Sequence, residues 1–225
     1  MLSNWNQFLE SLSSGKDWER FSQKISNALK SKSINYPFSV DDYYVLGREL
    51  TSKWRGDYEL THMIGKRESF REVNSEPSKI WVLKQISDKL GGGAKICDMG
   101  CGLGLVVLFC QKMGLDAIGV EWQKRLMPLH KEIGINVKYG DFFTMNLSFL
   151  KEMDIIYLYQ PVKTAYDSLE LLDLISANTS EKIVILYNGM WDSILKEIKN
   201  DPRFNVYYLD TNHNYSNLVL ITKSI

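Results

Sequence analysis

The 225 residues suit one large domain, or one domain with a smaller appendage. Twenty-seven basic residues balance twenty-seven acidic ones and 44% of positions are hydrophobic, so no global field points toward nucleic acid or an anionic membrane. The N-terminus lacks the basic start and apolar centre of a secretory signal, and the longest apolar stretch, Leu103 to Cys110, is too short to span a bilayer.

In chain order, the first part shows helical spacing only. Trp18, Phe21, Ile25 and Leu29 recur as on one helix face in 17–32, and Tyr43, Leu46, Leu50 and Trp54 do so in 41–54. Gly47 weakens the second helix by about 1 kcal/mol relative to alanine. Residues 1–75 therefore read as a helical appendage or substrate lid, with near-balanced charge and no basic arm. A helix over 76–90 and the turn Gly91–Gly93 lead into the remainder, 76–225.

There the pattern alternates. Strands are expected at 94–99, 117–121, 135–141, 154–160 and 182–188. Helices are expected at 103–114, 123–134, 165–179 and 191–199. Pro128 inside the second of these helices should crowd the preceding turn and kink it. Two last strands, 204–210 and 217–223, flank the polar turn "TNHNYS" and form an antiparallel hairpin. Strands alternating with helices make βαβ units. The fold class is thus α/β, a doubly wound, mostly parallel seven-stranded sheet with a C-terminal antiparallel hairpin.

The odd number of cysteines (Cys97, Cys101, Cys110) argues against disulfide stapling and fits a reducing cytoplasm. With no C-x-x-C pair, and with His62, His130 and His213 scattered, no metal site is expected.

The informative stretch is "ICDMGCGLGLVV" at 96–107. It puts a strand, an acid at Asp98 and glycines at Gly100, Gly102 and Gly104 directly before a helix. In a doubly wound sheet the first strand-to-helix turn is where a ligand enters. Bare backbone permits close approach, and the helix start offers free N–H groups to an anion. Glu121, at the end of the second strand, stands where a carboxylate accepts ribose hydroxyls. A nucleoside ligand follows. The dinucleotide fingerprint G-x-G-x-x-G/A would place its third small residue at position 105, which is Leu105, so a nicotinamide cofactor is disfavoured.

"DMGCGLG", then "VE" at 120–121, "GD" at 140–141 and "DIIYLYQP" at 154–161, resembles the class I S-adenosylmethionine-dependent methyltransferase family over about residues 80–225. The resemblance implies a Rossmann-like methyltransferase fold with S-adenosylmethionine as cofactor. It implies that Asp98 and the backbone of Gly100, Cys101, Gly102 and Gly104 hold the methionine part. Glu121 would grip the ribose with Trp122 beside the adenine, Asp141 would accept from the adenine amino group, and Phe142 would pack on the ring. Cys101, near a helix start where a thiolate is favoured, reads as a bystander within the turn. Phe142 and Trp122 are equally natural as core residues, and Gly140–Asp141 as an ordinary turn.

The resemblance also implies that the end of the fourth strand faces the transferred methyl, making Tyr159, Gln160 and Pro161 the acceptor-side candidates. Amino-methylating nucleic-acid branches carry Asn/Asp-Pro-Pro-aromatic there. This chain has Gln160, one proline and Val162, which argues against adenine or cytosine as acceptor. The expected activity is methyl transfer by in-line displacement to an unidentified acceptor: a protein, an RNA or a small molecule. Two alternatives stay open: a non-catalytic cofactor-binding partner subunit, and a nicotinamide-dependent oxidoreductase. Neither a membrane nor an oligomeric state is indicated.

Overall fold

The computed structural model describes residues 15–31, 34–54, 76–162, 164–212 and 216–224. His62, His213 and the middle of the turn at 211–216 lie outside them, as does much of the expected appendage. The helices are α1 (Gly15–Ser31), α2 (Val40–Trp54), α3 (Glu76–Lys89), α4 (Leu105–Lys112), α5 (Met127–Glu132), α6 (Ala165–Asn178) and α7 (Asp192–Lys199). The strands are β1 (Lys95–Met99), β2 (Asp116–Glu121), β3 (Val137–Tyr139), β4 (Ile155–Tyr159), β5 (Val184–Met190), β6 (Phe204–Asn212) and β7 (Ser216–Lys223).

The seven strands form one sheet in the order β3-β2-β1-β4-β5-β7-β6. The first five are parallel, whereas β7 runs antiparallel to both β5 and β6. The expected hairpin is present, and strand order reverses between β1 and β4. Right-handed crossovers carry the chain to opposite faces on either side of that point, opening a crevice above the carboxyl ends of the strands.

Each face of the sheet buries its own core. One holds Ile96, Tyr157 and Leu186 against Trp18 and Ile25 of α1, Tyr43 of α2, Ile80 and Leu83 of α3, and Val107 and Phe109 of α4. The other holds Cys97, Ile156 and Ile185 against Leu171 and Ile175 of α6 and Ile194 and Ile198 of α7. Residues alternate between the faces along β1, β4 and β5, as the period of two requires. At about 1.5–3 kcal/mol for each fully buried aliphatic side chain, these clusters supply the main driving force for folding. The first helices belong to the same core as the sheet. Trp18 and Ile25 lie eleven- and four-residue-spaced from Leu29 on one stripe of α1, and that stripe packs on β6. Gly47 is where α2 comes closest to α4: a Cβ there would stand 3.3 Å from Leu105 Cδ1.

Three local expectations change. The kinked helix over 123–134 is two pieces, a 3-10 turn at Lys124–Leu126 and then α5, with Pro128 in the first turn of α5. A proline there removes an N–H that has no intrahelical partner, so the chain restarts its helix at the proline instead of bending around it. β3 is three residues long rather than seven, because only Val137, Lys138 and Tyr139 pair with β2. Leu103 and Gly104 belong to the turn and not to the helix, since Gly104 adopts left-handed angles (φ 79°, ψ 15°) and α4 begins after it. Among the described residues, no helix is long and apolar enough to cross a membrane.

The far end of the sheet shows how one charge is spent on stability. Lys223 of β7 is 9% exposed, and its Nζ donates to the carbonyls of Ser176 at 2.7 Å and Thr179 at 3.0 Å. These belong to the last turn of α6 and the residues just beyond it, where carbonyls lack intrahelical donors and the helix dipole is negative.

Candidate functional site

β1 delivers the chain to the crevice at Met99, and the glycine turn follows. The Val120 carbonyl accepts both the Gly100 N–H at 2.9 Å and the Cys101 N–H at 3.0 Å, which pins the turn to the end of β2. The Gly104 N–H closes it by donating to the Cys101 carbonyl at 2.8 Å. Gly104 is required twice over. Its φ is +79°, and a Cβ would stand 2.1 Å from Ile135 Cδ1. Gly102 differs: its φ is +51°, but nothing stands within 4 Å of where a Cβ would be. The chain is bare there and the space over it is open.

Glu121 ends β2 and is 3% exposed. Its Oε2 accepts the Gly102 N–H at 2.9 Å and its Oε1 accepts the Gln123 N–H at 2.9 Å. A carboxylate has about four acceptor positions, so each oxygen keeps capacity for a further donor. Asp98, 4% exposed, lies in register between Gly119 of β2 and Tyr157 of β4.

The remaining cofactor-side candidates divide. Trp122, directly after Glu121, is 60% exposed. Phe142 packs in the core with Met99 and Val120, yet its ring tip comes within 3.8 Å of where a Gly100 Cβ would be. Asp141 is exposed and forms a turn of its own: its Oδ1 accepts the Phe143 N–H at 3.0 Å, and its carbonyl accepts the Thr144 and Met145 N–H groups. Cys101 is buried against Gly119, where a Cβ would stand 2.5 Å from its Sγ. Burial first, then Asp98 and Glu121, push its thiol well above the ordinary thiol range. Desolvation and the two carboxylates thus outweigh the dipole of the nearby helix start.

The end of β4 joins the same place. Pro161 touches the glycine turn, its Cβ standing 3.4 Å from where a Gly100 Cβ would be. Gln160, with φ 43°, is the one residue other than glycine with positive φ among those described. Such a conformation costs about 1–2 kcal/mol outside glycine. It places the Gln160 side chain over Gly189, where a Cβ would stand 2.7 Å from Cγ and 2.9 Å from Nε2. Tyr159 pairs in register with Asn188 of β5. Asn188 is 2% exposed, and its Nδ2 has no hydrogen-bond partner. Strain, a bulge between Asn188 and Met190, and an unanswered buried donor thus coincide at the carboxyl ends of β4 and β5.

Three contributors, His130, Tyr139 and Asn188, were missed in the sequence. His130 of α5 is 1% exposed and bridges the Gly102 carbonyl, 2.7 Å from Nε2, and the Tyr139 hydroxyl, 2.6 Å from Nδ1. Nothing in the spacing of an isolated histidine points to a glycine turn 28 residues earlier. Asn188 did carry a signal, since Asn-Gly at the end of an apolar strand marks a turn or bulge. Among the described residues no cluster of His, Cys, Asp and Glu is arranged to hold a metal ion.

No family model and no curated protein matches this chain. Solved structures do match it. Magnesium protoporphyrin IX methyltransferase from Synechocystis PCC 6803, with bound SAM, aligns at TM-score 0.58 and 13% identity over 83% of this chain and 99% of that one. The plantazolicin methyltransferase BpumL, in complex with SAH, aligns at 0.55 and 13% over 80% of this chain and 96% of that one. The ribosomal protein L11 methylase from Lactobacillus delbrueckii subsp. bulgaricus aligns at 0.51 and 14% over 66% and 79%. At such identities the likeness is one of fold: the chain has the Rossmann-like fold of the class I methyltransferases.

Proposed function

We propose that this chain is an S-adenosylmethionine-dependent methyltransferase. The observation that carries the reading is the pairing of Glu121 with Gly102 at the switch point of the sheet. A buried acid with acceptor capacity to spare is held against a bare, open stretch of backbone. The residues fit the cofactor. A side chain at Gly102 would fill the cradle, Glu121 offers acceptors for a ribose diol, and Asp98 and the free N–H groups opening α4 suit an amino-acid tail carrying both charges. Trp122 presents an exposed aromatic face beside the sugar position, where a purine stacks. NAD fits less well because Leu105 occupies the place of its third small residue.

The cofactor supplies an electrophilic methyl on a sulfonium. What the chain must supply is alignment of a nucleophile and exclusion of water. Pro161 sets the end of β4 against the glycine turn, so Tyr159 and Gln160 border the acceptor side. Gln160, an amide, orients an acceptor by hydrogen bonding and takes no proton from it. Asn188, with its unanswered Nδ2, adds a donor next to Tyr159. On the other side, Leu46 and Leu50 of α2 pack with Leu103, Leu105, Leu126 and Leu129. That contact supports a role for the N-terminal helices as a wall or lid over the acceptor.

Calorimetry with S-adenosylmethionine, its demethylated product and NAD tests the cofactor. Heat with NAD alone would overturn the reading. Labelled methyl supplied with a cell extract tests turnover. A second reading, a partner subunit that binds the cofactor without transfer, is favoured by the packing of Gln160 onto Gly189; binding without labelling of any fraction would select it.

A further inference from the structure

Gly102 is the least walled glycine of the turn, with no atom within 4 Å of where its Cβ would be. A glycine in open space has two soft dihedrals and loses more freedom on ordering than any other residue. Sterics do not set its conformation, so its N–H and C=O must. Both are held from inside the fold. The N–H donates to Glu121 Oε2 at 2.9 Å, which limits φ, and the C=O lies 2.7 Å from His130 Nε2, which limits ψ.

The carbonyl can only accept, so Nε2 carries the hydrogen. In a neutral imidazole Nδ1 is then the acceptor, and the Tyr139 hydroxyl, 2.6 Å away, donates to it. His130 is 1% exposed, and burial holds its pKa below the ordinary histidine value, against the pull of Gly102 and Glu121. The Gly102 carbonyl thus fixes the tautomer, Tyr139 of β3 holds the ring from its other side, α5 presents the donor, and β2 supplies the opposing acceptor. The other turn glycine with left-handed angles at the helix start, Gly104, has Ile135 as a wall and does not depend on such a clamp.

We propose that His130 is a positioning residue for the ligand loop, holding Gly102 in its ligand-ready conformation in the free protein. Ordering the loop beforehand removes part of the entropy loss on binding. The identity of the ligand rests on the methyltransferase reading; the clamp is a property of the ligand-free chain.

Two measurements separate them: amide hydrogen exchange at Gly102 without ligand, and calorimetry with S-adenosylhomocysteine. Each is made on the unaltered protein and on His130→Ala, His130→Gln and Tyr139→Phe. His130→Ala should speed Gly102 exchange and weaken binding, each by about tenfold, the size of one lost buried hydrogen bond. His130→Gln can place an N–H near the Nε2 position and should recover both to within about threefold. Tyr139→Phe removes the hydrogen bond that holds the ring at Nδ1 and should fall between them. If His130→Ala does not fold, Tyr139→Phe carries the test on its own. Exchange in His130→Ala equal to that of the unaltered protein, no recovery in His130→Gln, or a Tyr139→Phe protein unchanged in both measurements would overturn the proposal. The expected exchange pattern in a protein that binds no S-adenosylhomocysteine would uphold the clamp and sink the cofactor reading instead.

Discussion

Cys101 lies so close over Gly119 that a Cβ at position 119 would stand 2.5 Å from its Sγ and 3.0 Å from its Cβ. The glycine in the middle of β2 admits the glycine turn that follows β1. Gly119→Ala should therefore destabilise the protein by about 1–3 kcal/mol through overpacking. Cys101→Ala in the same chain should recover part of that loss, because the sulfur is the nearer atom. A double-mutant cycle from denaturant unfolding checks this; strictly additive effects would mean the two residues do not press on each other.

The thiols also set an alkaline limit. Cys97, Cys101 and Cys110 are free and buried, and burial raises the pKa of each well above the ordinary thiol range. A folded pKa above the unfolded one means stability is fully present below the unfolded value, about 8.5, and is lost as pH rises past it. Each thiol should remove about 1.4 kcal/mol per pH unit in that window. Denaturant unfolding at pH 8, 9 and 10 should show the decline, and Cys110→Ala should flatten it. Native Cys101 should also resist alkylation, so its labelling reports unfolding rather than cofactor shielding.

Within the turn, two glycines should separate fold from function. Gly104→Ala forces a Cβ toward Ile135 Cδ1 at 2.1 Å and should lower the melting temperature strongly, with partial recovery in Ile135→Val, which removes that methyl. Gly102→Ala meets no neighbour and should cost only about 1–2 kcal/mol for its left-handed backbone. Its loss of S-adenosylhomocysteine affinity should exceed its loss of stability. Calorimetry beside thermal melting distinguishes the two.

Glu121→Ala should weaken S-adenosylhomocysteine binding by about 1–3 kcal/mol, the range for hydrogen bonds to a charged group. Glu121→Gln should also fail, because one of its two ends would set an amide donor against the N–H of Gly102 or Gln123. An affinity unchanged in both variants would remove the sugar-holding role.

Far from the crevice, Lys223→Met keeps the apolar stem but removes two donors from the Ser176 and Thr179 carbonyls. A loss of about 1.5–3 kcal/mol in denaturant unfolding is expected, with cofactor affinity unaltered.

The order of strands and helices, the closing hairpin and the place of the glycine turn were legible in the residues, because hydrophobic period and glycine chemistry act over a few neighbours. "ICDMGCGLG" and the acid of "VE" could be placed at strand ends on those grounds alone. Tertiary structure decides what local rules do not: β3 pairs with β2 over three residues only, and burial beside Asp98 and Glu121 raises the pKa of Cys101 despite the nearby helix start. The hold of His130 on Gly102 and the strained Gln160 over Gly189 join segments 28 or more residues apart in the chain. Spacing carries no record of such contacts, since only the closed sheet brings those atoms within reach.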